Sequence, residues 1–199
     1  MLFRSSGLAD AGGRPACRRI ADVAWSGGAI PIVVAPTGDR DTVAAALAGS
    51  PATLAPAGPV TVGRAFRSAR REVRATSAVL VWPDDHAWVG PETVTSMIEL
   101  HGIHPSAIVV PTWDGLQGHP ILVPGTLVER ADAAGARTTG ELLAMLVAGG
   151  AERRTIEVGD PGVRHPLPAA RESLPGYRGP AGPAAVPPDW GAAAAEELR

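Results

Sequence analysis

The chain of 199 residues contains no lysine, so all 18 of its basic residues are arginine. Mechanisms that need a lysine amine are thereby excluded: a phosphate-loop lysine, a Schiff base and a lysine general base. A single cysteine, Cys17, rules out an intrachain disulfide framework and a multi-cysteine zinc site. No apolar run reaches the ~18 residues of a membrane span. Ser5, Ser6, Gly7 and Asp10 interrupt the amino-terminal stretch where a signal peptide needs a continuous apolar core. Neither sign of charge dominates. The formal net charge of −2 gives no general pull toward nucleic acid or an anionic membrane. A soluble, cytoplasmic protein is the expectation.

What is present suits one globular domain with a real core: 45% of the residues are hydrophobic and 19% charged. Apolar residues at Ala16, Ile20, Val23 and Ala24 predict a helix over Arg14–Trp25, stopped by Gly27 and Gly28. Ile30–Ala35 and Ala78–Trp82 read as buried strands, with helices over 41–48 and 63–75 between them. Pro91–His101 is a helix with proline at its first position and an acid in its first turn. Further strands are expected at 107–110, 120–123 and 155–158, with Pro111–Gly118 as a polar loop and a helix from Thr138 or Thr139 to Leu146. Helices alternating with short apolar strands predict an α/β fold with a mostly parallel sheet, in which ligands bind beyond the carboxyl ends of strands. The domain is expected to span 1–173. Proline, glycine and alanine dominate 174–188, so 174–199 reads as a disordered tail.

Two loops at strand ends carry candidate chemistry. Asp84, Asp85 and His86 follow the strand ending at Trp82. Adjacent carboxylates there suit a hard cation such as Mg²⁺; the alternative is a turn that caps the helix at Pro91. Asp114, Gly115, Gly118 and His119 form a glycine-rich loop in which backbone can approach a ligand and an imidazole can donate. The alternative is a plain surface loop. Arg64, Arg67, Arg71 and Arg74 share one helical face, which either binds anions or RNA or is simply solvated. His101 and His104 have no third ligand nearby, and Cys17 sits among apolar neighbours.

The stretch Ala78–Pro124 resembles the MobA-like nucleotidyltransferases, in particular the branch of molybdenum cofactor cytidylyltransferases. The resemblance rests on the run from Val79 through Asp85, His86 and Val89 to Pro91-Glu92-Thr93, and on Asp114-Gly115-Leu116-Gln117-Gly118-His119-Pro120 after the next strand. It extends more weakly over 13–163, where Gly13-Arg14-Pro15 is similar to the family's turn before its first helix. It implies a Rossmann-like three-layer fold. It also implies transfer of a nucleotidyl group from CTP or another nucleoside triphosphate to a small phosphorylated acceptor, molybdopterin or a phosphosugar, with Mg²⁺ and release of pyrophosphate. Asp85 matches the metal-binding, catalytic aspartate. Asp84, His86, Asp114, Gly115, Gly118 and His119 match the acceptor side, and Arg14 and Ser68 the nucleotide side. Neither membrane nor nucleic-acid partners are expected.

The sequence departs from the family at both ends. The family opens on a strand and a glycine-rich loop followed by a lysine; here Met1 leaves no room for that strand. The later aspartate motif is replaced by Pro161–Pro168, with Asp160 close by but out of register, and Ala87 stands for a proline. Three readings follow: a gene start placed too far downstream, a homologue that binds without turnover, or an unrelated anion-binding module using the Arg64–Arg74 face.

Overall fold

The computed structural model describes residues 2–179 except 4, 37–38, 57–60, 64, 66–72, 74–75 and 134. Arg64, Arg67, Arg71, Arg74 and Ser68 lie outside the described residues, as do residues 180–199. Among the described residues no helix is long and apolar enough to cross a membrane.

A two-residue strand β1 (Leu2–Phe3) stands where the sequence left no room for one, parallel to β2 (Ile32–Pro36), with Leu2 opposite Ala35. Between them runs α1 (Ala16–Ser26), which buries Ala16, Cys17, Ile20, Ala21 and Ala24 at helical spacing. Helix α2 (Arg40–Ala46) is capped by Asp39, whose carboxylate accepts from the Asp41 N–H. It leads to β3 (Ala52–Leu54), parallel to β2. A second sheet follows: β4 (Ala78–Val81), then α3 (Pro91–Ile103), β5 (Ile108–Trp113), β6 (Leu116–Gln117) and β7 (Ile121–Pro124). Helices α4 (Val128–Ala133) and α5 (Thr139–Ala148) precede β8 (Arg153–Glu157).

The fold is α/β as expected, but its strand pairing is mixed. β1–β2, β2–β3 and β5–β8 are parallel; β4–β7, β5–β7 and β5–β6 are antiparallel. The cause is local. The chain between Trp113 and Ile121 is shorter than the dozen or so residues a parallel crossover needs, so β7 returns antiparallel to β5. The expected loop at 111–118 is instead largely a β-hairpin. Asp114 (φ 50°) and Gly115 (φ 72°) form its two-residue turn, the left-handed pair that an Asp-Gly hairpin favours.

Two apolar clusters hold the layers. One joins α1 and β2 to Trp82, Trp88, Val89 and Val163; the other joins β5 and β7 to α5 through Ile108, Ile121, Leu142 and Leu146. Residues 174–179, assigned to the tail by composition, lie against the domain. Leu174 packs on the first cluster, and the Arg178 N–H donates to the Gly159 carbonyl at 2.7 Å. Between β2 and β4, at the amino end of β4, is an apolar cavity of about 230 Å³. It is lined by Ile32, Ala78, Leu80, Ile98, Leu122 and His101.

Candidate active site

Strand β4 ends at a tryptophan that fixes the loop beyond it. Trp82 is 2% exposed, and its indole N–H donates to the His86 carbonyl at 2.9 Å. Burying so large a ring with its one donor satisfied makes the turn Pro83–His86 rigid. The two aspartates of this turn then face different ways. Asp84 is buried, close enough to Cys17 that its charge adds to the effect of burial in raising the thiol pKa. The Asp85 side chain is 40% exposed and accepts from the His86 imidazole Nδ1 at 2.7 Å. That hydrogen bond holds the Asp85 carboxyl below the usual carboxylate range, against the opposing effect of burial.

His119 completes the cluster. Its ring meets that of His86 edge to face, with centroids 4.7 Å apart. Burial, reinforced by His86, lowers its pKa to about 4, although Asp85 pulls the other way. At neutral pH His119 is therefore uncharged, and its buried Nδ1 has no hydrogen-bond partner among the described residues.

Gly118 places this histidine. A Cβ at Gly118 would lie 2.4 Å from the Val163 carbonyl oxygen, so only glycine lets the two backbones meet. The next N–H, of His119, donates to that same oxygen at 2.9 Å. The turn 161–163 is held in place by Asp160, which is 3% exposed. Its carboxylate accepts from the Gly162 and Gly90 N–H groups and from the Thr93 hydroxyl, each at 2.8 Å. The Asp85 carbonyl accepts from the Leu167 N–H at 2.7 Å. Three stretches distant in sequence thus converge, 83–90, 118–119 and 160–167.

The structure therefore brings Asp85, His86, Gly118 and His119 together. It places Asp114 and Gly115 in the hairpin turn, where their N–H groups donate to the Glu157 carboxylate at 3.1 and 3.3 Å and the Asp114 carboxylate lies 3.9 Å from Arg178. Arg14 stands in the loop before α1, largely exposed and 3.3 Å from Asp22. Ser68 lies outside the described residues. Sequence reasoning missed Glu157, Arg19 and Arg164, and noted Asp160 only as an aspartate out of register. Arg164 donates to the Gln117 carbonyl at 2.8 Å, and its charge also lowers the pKa of His119. Arg19 donates to the Ala87 carbonyl at 2.9 Å. The one legible signal was Asp160-Pro161, a cap followed by proline at a helical first position.

No group of three or more histidine, cysteine, aspartate or glutamate side chains is poised to hold a metal among the described residues. Asp160 already serves three donors. Asp85 is ionised and partly open, so the residues fit a cation that keeps most of its ligands from phosphate and water, as Mg²⁺ does. They do not fit an all-protein cage.

A family model described as MobA-like NTP transferase domain matches residues 5–155. No curated protein matches the chain. Among solved structures, a nucleotidyl transferase from Methanothermobacter superposes with a TM-score of 0.65 at 17% identity, over 76% of this chain and 74% of that one. The Mycobacterium tuberculosis protein Rv0371c, in complex with manganese, gives 0.62 at 17% identity over 77% and 80%. A CMP:2-keto-3-deoxy-manno-octonic acid synthetase complexed with CTP gives 0.63 at 13% identity over 78% and 84%. At these identities the likeness is one of fold.

Proposed function

The chain belongs to the MobA-like NTP transferase family, and on that footing we propose that it binds CTP or another nucleoside triphosphate with Mg²⁺ and transfers the nucleotidyl group to a small phosphorylated acceptor. The observation that carries this reading is the cluster of Asp85, His86 and His119 at the carboxyl end of β4, where an α/β sheet binds its ligands.

In such a transfer an acceptor phosphate oxygen attacks the α-phosphorus, the bond from that phosphorus to the bridging oxygen breaks, and pyrophosphate leaves. Asp85 would hold the metal ion, which when bound offsets the charge that develops on the α-phosphate. The hydrogen bond from His86 keeps Asp85 ionised and fixes its direction. An acceptor phosphate is already an anion, so the reaction asks for no general base. Neutral His119 then orients the acceptor through a hydrogen bond and takes no proton. Gly118 and the 160–163 turn hold that imidazole in place.

One observation favours a second reading, binding without turnover. The buried Asp160 is consumed by structural hydrogen bonds, so among the described residues of the cluster Asp85 is the one partly open carboxylate left for a metal. Calorimetric titration of CTP and of GTP, each with Mg²⁺, combined with a pyrophosphate-release assay, separates the cases. Micromolar binding that is lost in Asp85→Ala supports the nucleotide site; release of pyrophosphate on adding acceptor supports transfer. Binding without release favours the second reading. Absence of binding to the folded chain contradicts both.

A further inference from the structure

The chain has no lysine, so whatever neutralises a triphosphate here is built from other groups. Trp88 is where such a set gathers. Its indole N–H donates to the Ala169 carbonyl at 2.7 Å, which ties the segment leading to Arg171 against the ring. The Arg19 guanidinium carbon stands 5.0 Å from the ring centroid on another side. The loop before α1 packs on it as well, since a Cβ at Gly12 would touch the ring at 3.6 Å. Three separate stretches therefore meet around one indole, and each carries an arginine: Arg14, Arg19 and Arg171.

These cations are undercompensated. Asp22, 3.3 Å from Arg14, is shared with Arg18 at 2.9 Å. Neither Arg19 nor Arg171 has a carboxylate partner among the described residues. Burial lowers the pKa of Arg19, and the charges of Arg171 and Arg14 lower it further. Like charges held together beside a glycine turn, with only Arg14 sharing a carboxylate, are stabilised by an anion of several charges. The group is also joined to the Asp85 loop, because Arg19 donates to the carbonyl of Ala87, two residues beyond Asp85.

We propose that Arg19 and Arg171, with Arg14, form a polyphosphate clamp around Trp88 that holds the β- and γ-phosphates of the nucleotide and then the departing pyrophosphate. This rests on the nucleotide-binding reading above and adds the residues that do the work of the missing lysine. A planar guanidinium offers paired donors to phosphate where an ammonium offers a point charge. The 171 segment carries one jaw of the clamp, so the far end of the domain closes over a site that begins at the amino end.

The test is calorimetric titration of inorganic tripolyphosphate, CTP and CMP into the wild type and into Arg171→Gln, Arg19→Gln and Arg153→Gln. The Arg171 side chain is exposed, and only its backbone carbonyl, which accepts from the Leu174 N–H, takes part in the local turn, so its variant tests the clamp without testing the fold. The expected result is a loss of about tenfold in tripolyphosphate and CTP affinity for Arg171→Gln, the size of one charge-assisted hydrogen bond. CMP affinity should stay unchanged, and Arg153→Gln should behave as wild type. Equal tripolyphosphate affinity in wild type and Arg171→Gln would overturn the clamp, as would an equal loss for CMP. If CTP still binds in an Asp85-dependent way in that case, the nucleotide reading survives alone. If tripolyphosphate is held through Arg171 while no nucleotide binds, the clamp survives and the nucleotide reading fails.

Discussion

Strand β4 has a histidine near each end, and the two sit in different company. At the carboxyl end His119 meets His86, Asp85 and the charge of Arg164. At the amino end His101 lines an apolar cavity with Ile32, Leu80, Ile98 and Leu122. In both rings a buried Nδ1 lacks a hydrogen-bond partner among the described residues. An orphaned imidazole nitrogen therefore does not by itself mark a site. What marks one is the company of an ionised carboxylate, a second imidazole and backbone brought in by distant segments. The same comparison explains which end is rigid. The carboxyl end is tied by Asp160, by the Val163 carbonyl and by the indole of Trp82, whereas the side chains lining the cavity are mostly apolar.

The comparison breaks most sharply at Asp160. Asp160→Ala removes three hydrogen bonds, two from buried donors and one from the part-buried Gly90 N–H, each worth about 1–3 kcal/mol when a buried partner is left unsatisfied. A loss of roughly 3–5 kcal/mol is expected once relaxation is allowed for, read by urea unfolding. Nucleotide affinity should fall with it, while the cavity at the other end keeps its packing.

The next effect is a pH dependence. The His119 pKa lies at about 4 in the folded chain against an ordinary 6.5. Between those values the unfolded chain binds a proton that the folded chain refuses, so stability falls as the pH drops from 6.5 to 4; this loss is absent above that window and complete below it. The fall should be about 3 kcal/mol at most, taking 1.36 kcal/mol per unit. His119→Gln should flatten the profile there. The acid limb due to Asp85 should persist below it, because the lowered carboxyl pKa protects stability until the pH falls below the ordinary carboxylate range.

The smallest effect belongs to the cavity. His101→Phe replaces an orphaned polar ring with an apolar one, so the melting temperature should stay level or rise, by the equivalent of about 1 kcal/mol or less. Nucleotide affinity should not change. A large loss of stability would mean that His101 makes a structural hydrogen bond of its own.

The legible parts of the molecule were those written in consecutive residues. The apolar run ending at Trp82, the proline opening α3, the threonine at the start of α5 and the two loops of the site all follow from local pattern. Asp114-Gly115 carried a clear hairpin signal, but as part of a polar loop it concealed that β5 runs on to Trp113 and turns straight back. Other features depend on long-range approach. Asp160 caps a turn and also meets Gly90 and Thr93 across the fold. Glu157 gathers the hairpin, and Arg19, on a helix read as amphipathic, reaches Ala87. Nothing in their immediate neighbours announces those partners, since tertiary packing alone creates them.

The most direct test of the central claim uses the histidine rings themselves. In a ring-selective NMR titration of the chain with CTP and Mg²⁺, the signals of His86 and His119 should move saturably and together, and Asp85→Asn should abolish the shift. The signal of His101 should stay still and serve as the internal control. Movement of His101 while His86 and His119 remain silent would contradict the account and place the ligand at the wrong end of β4.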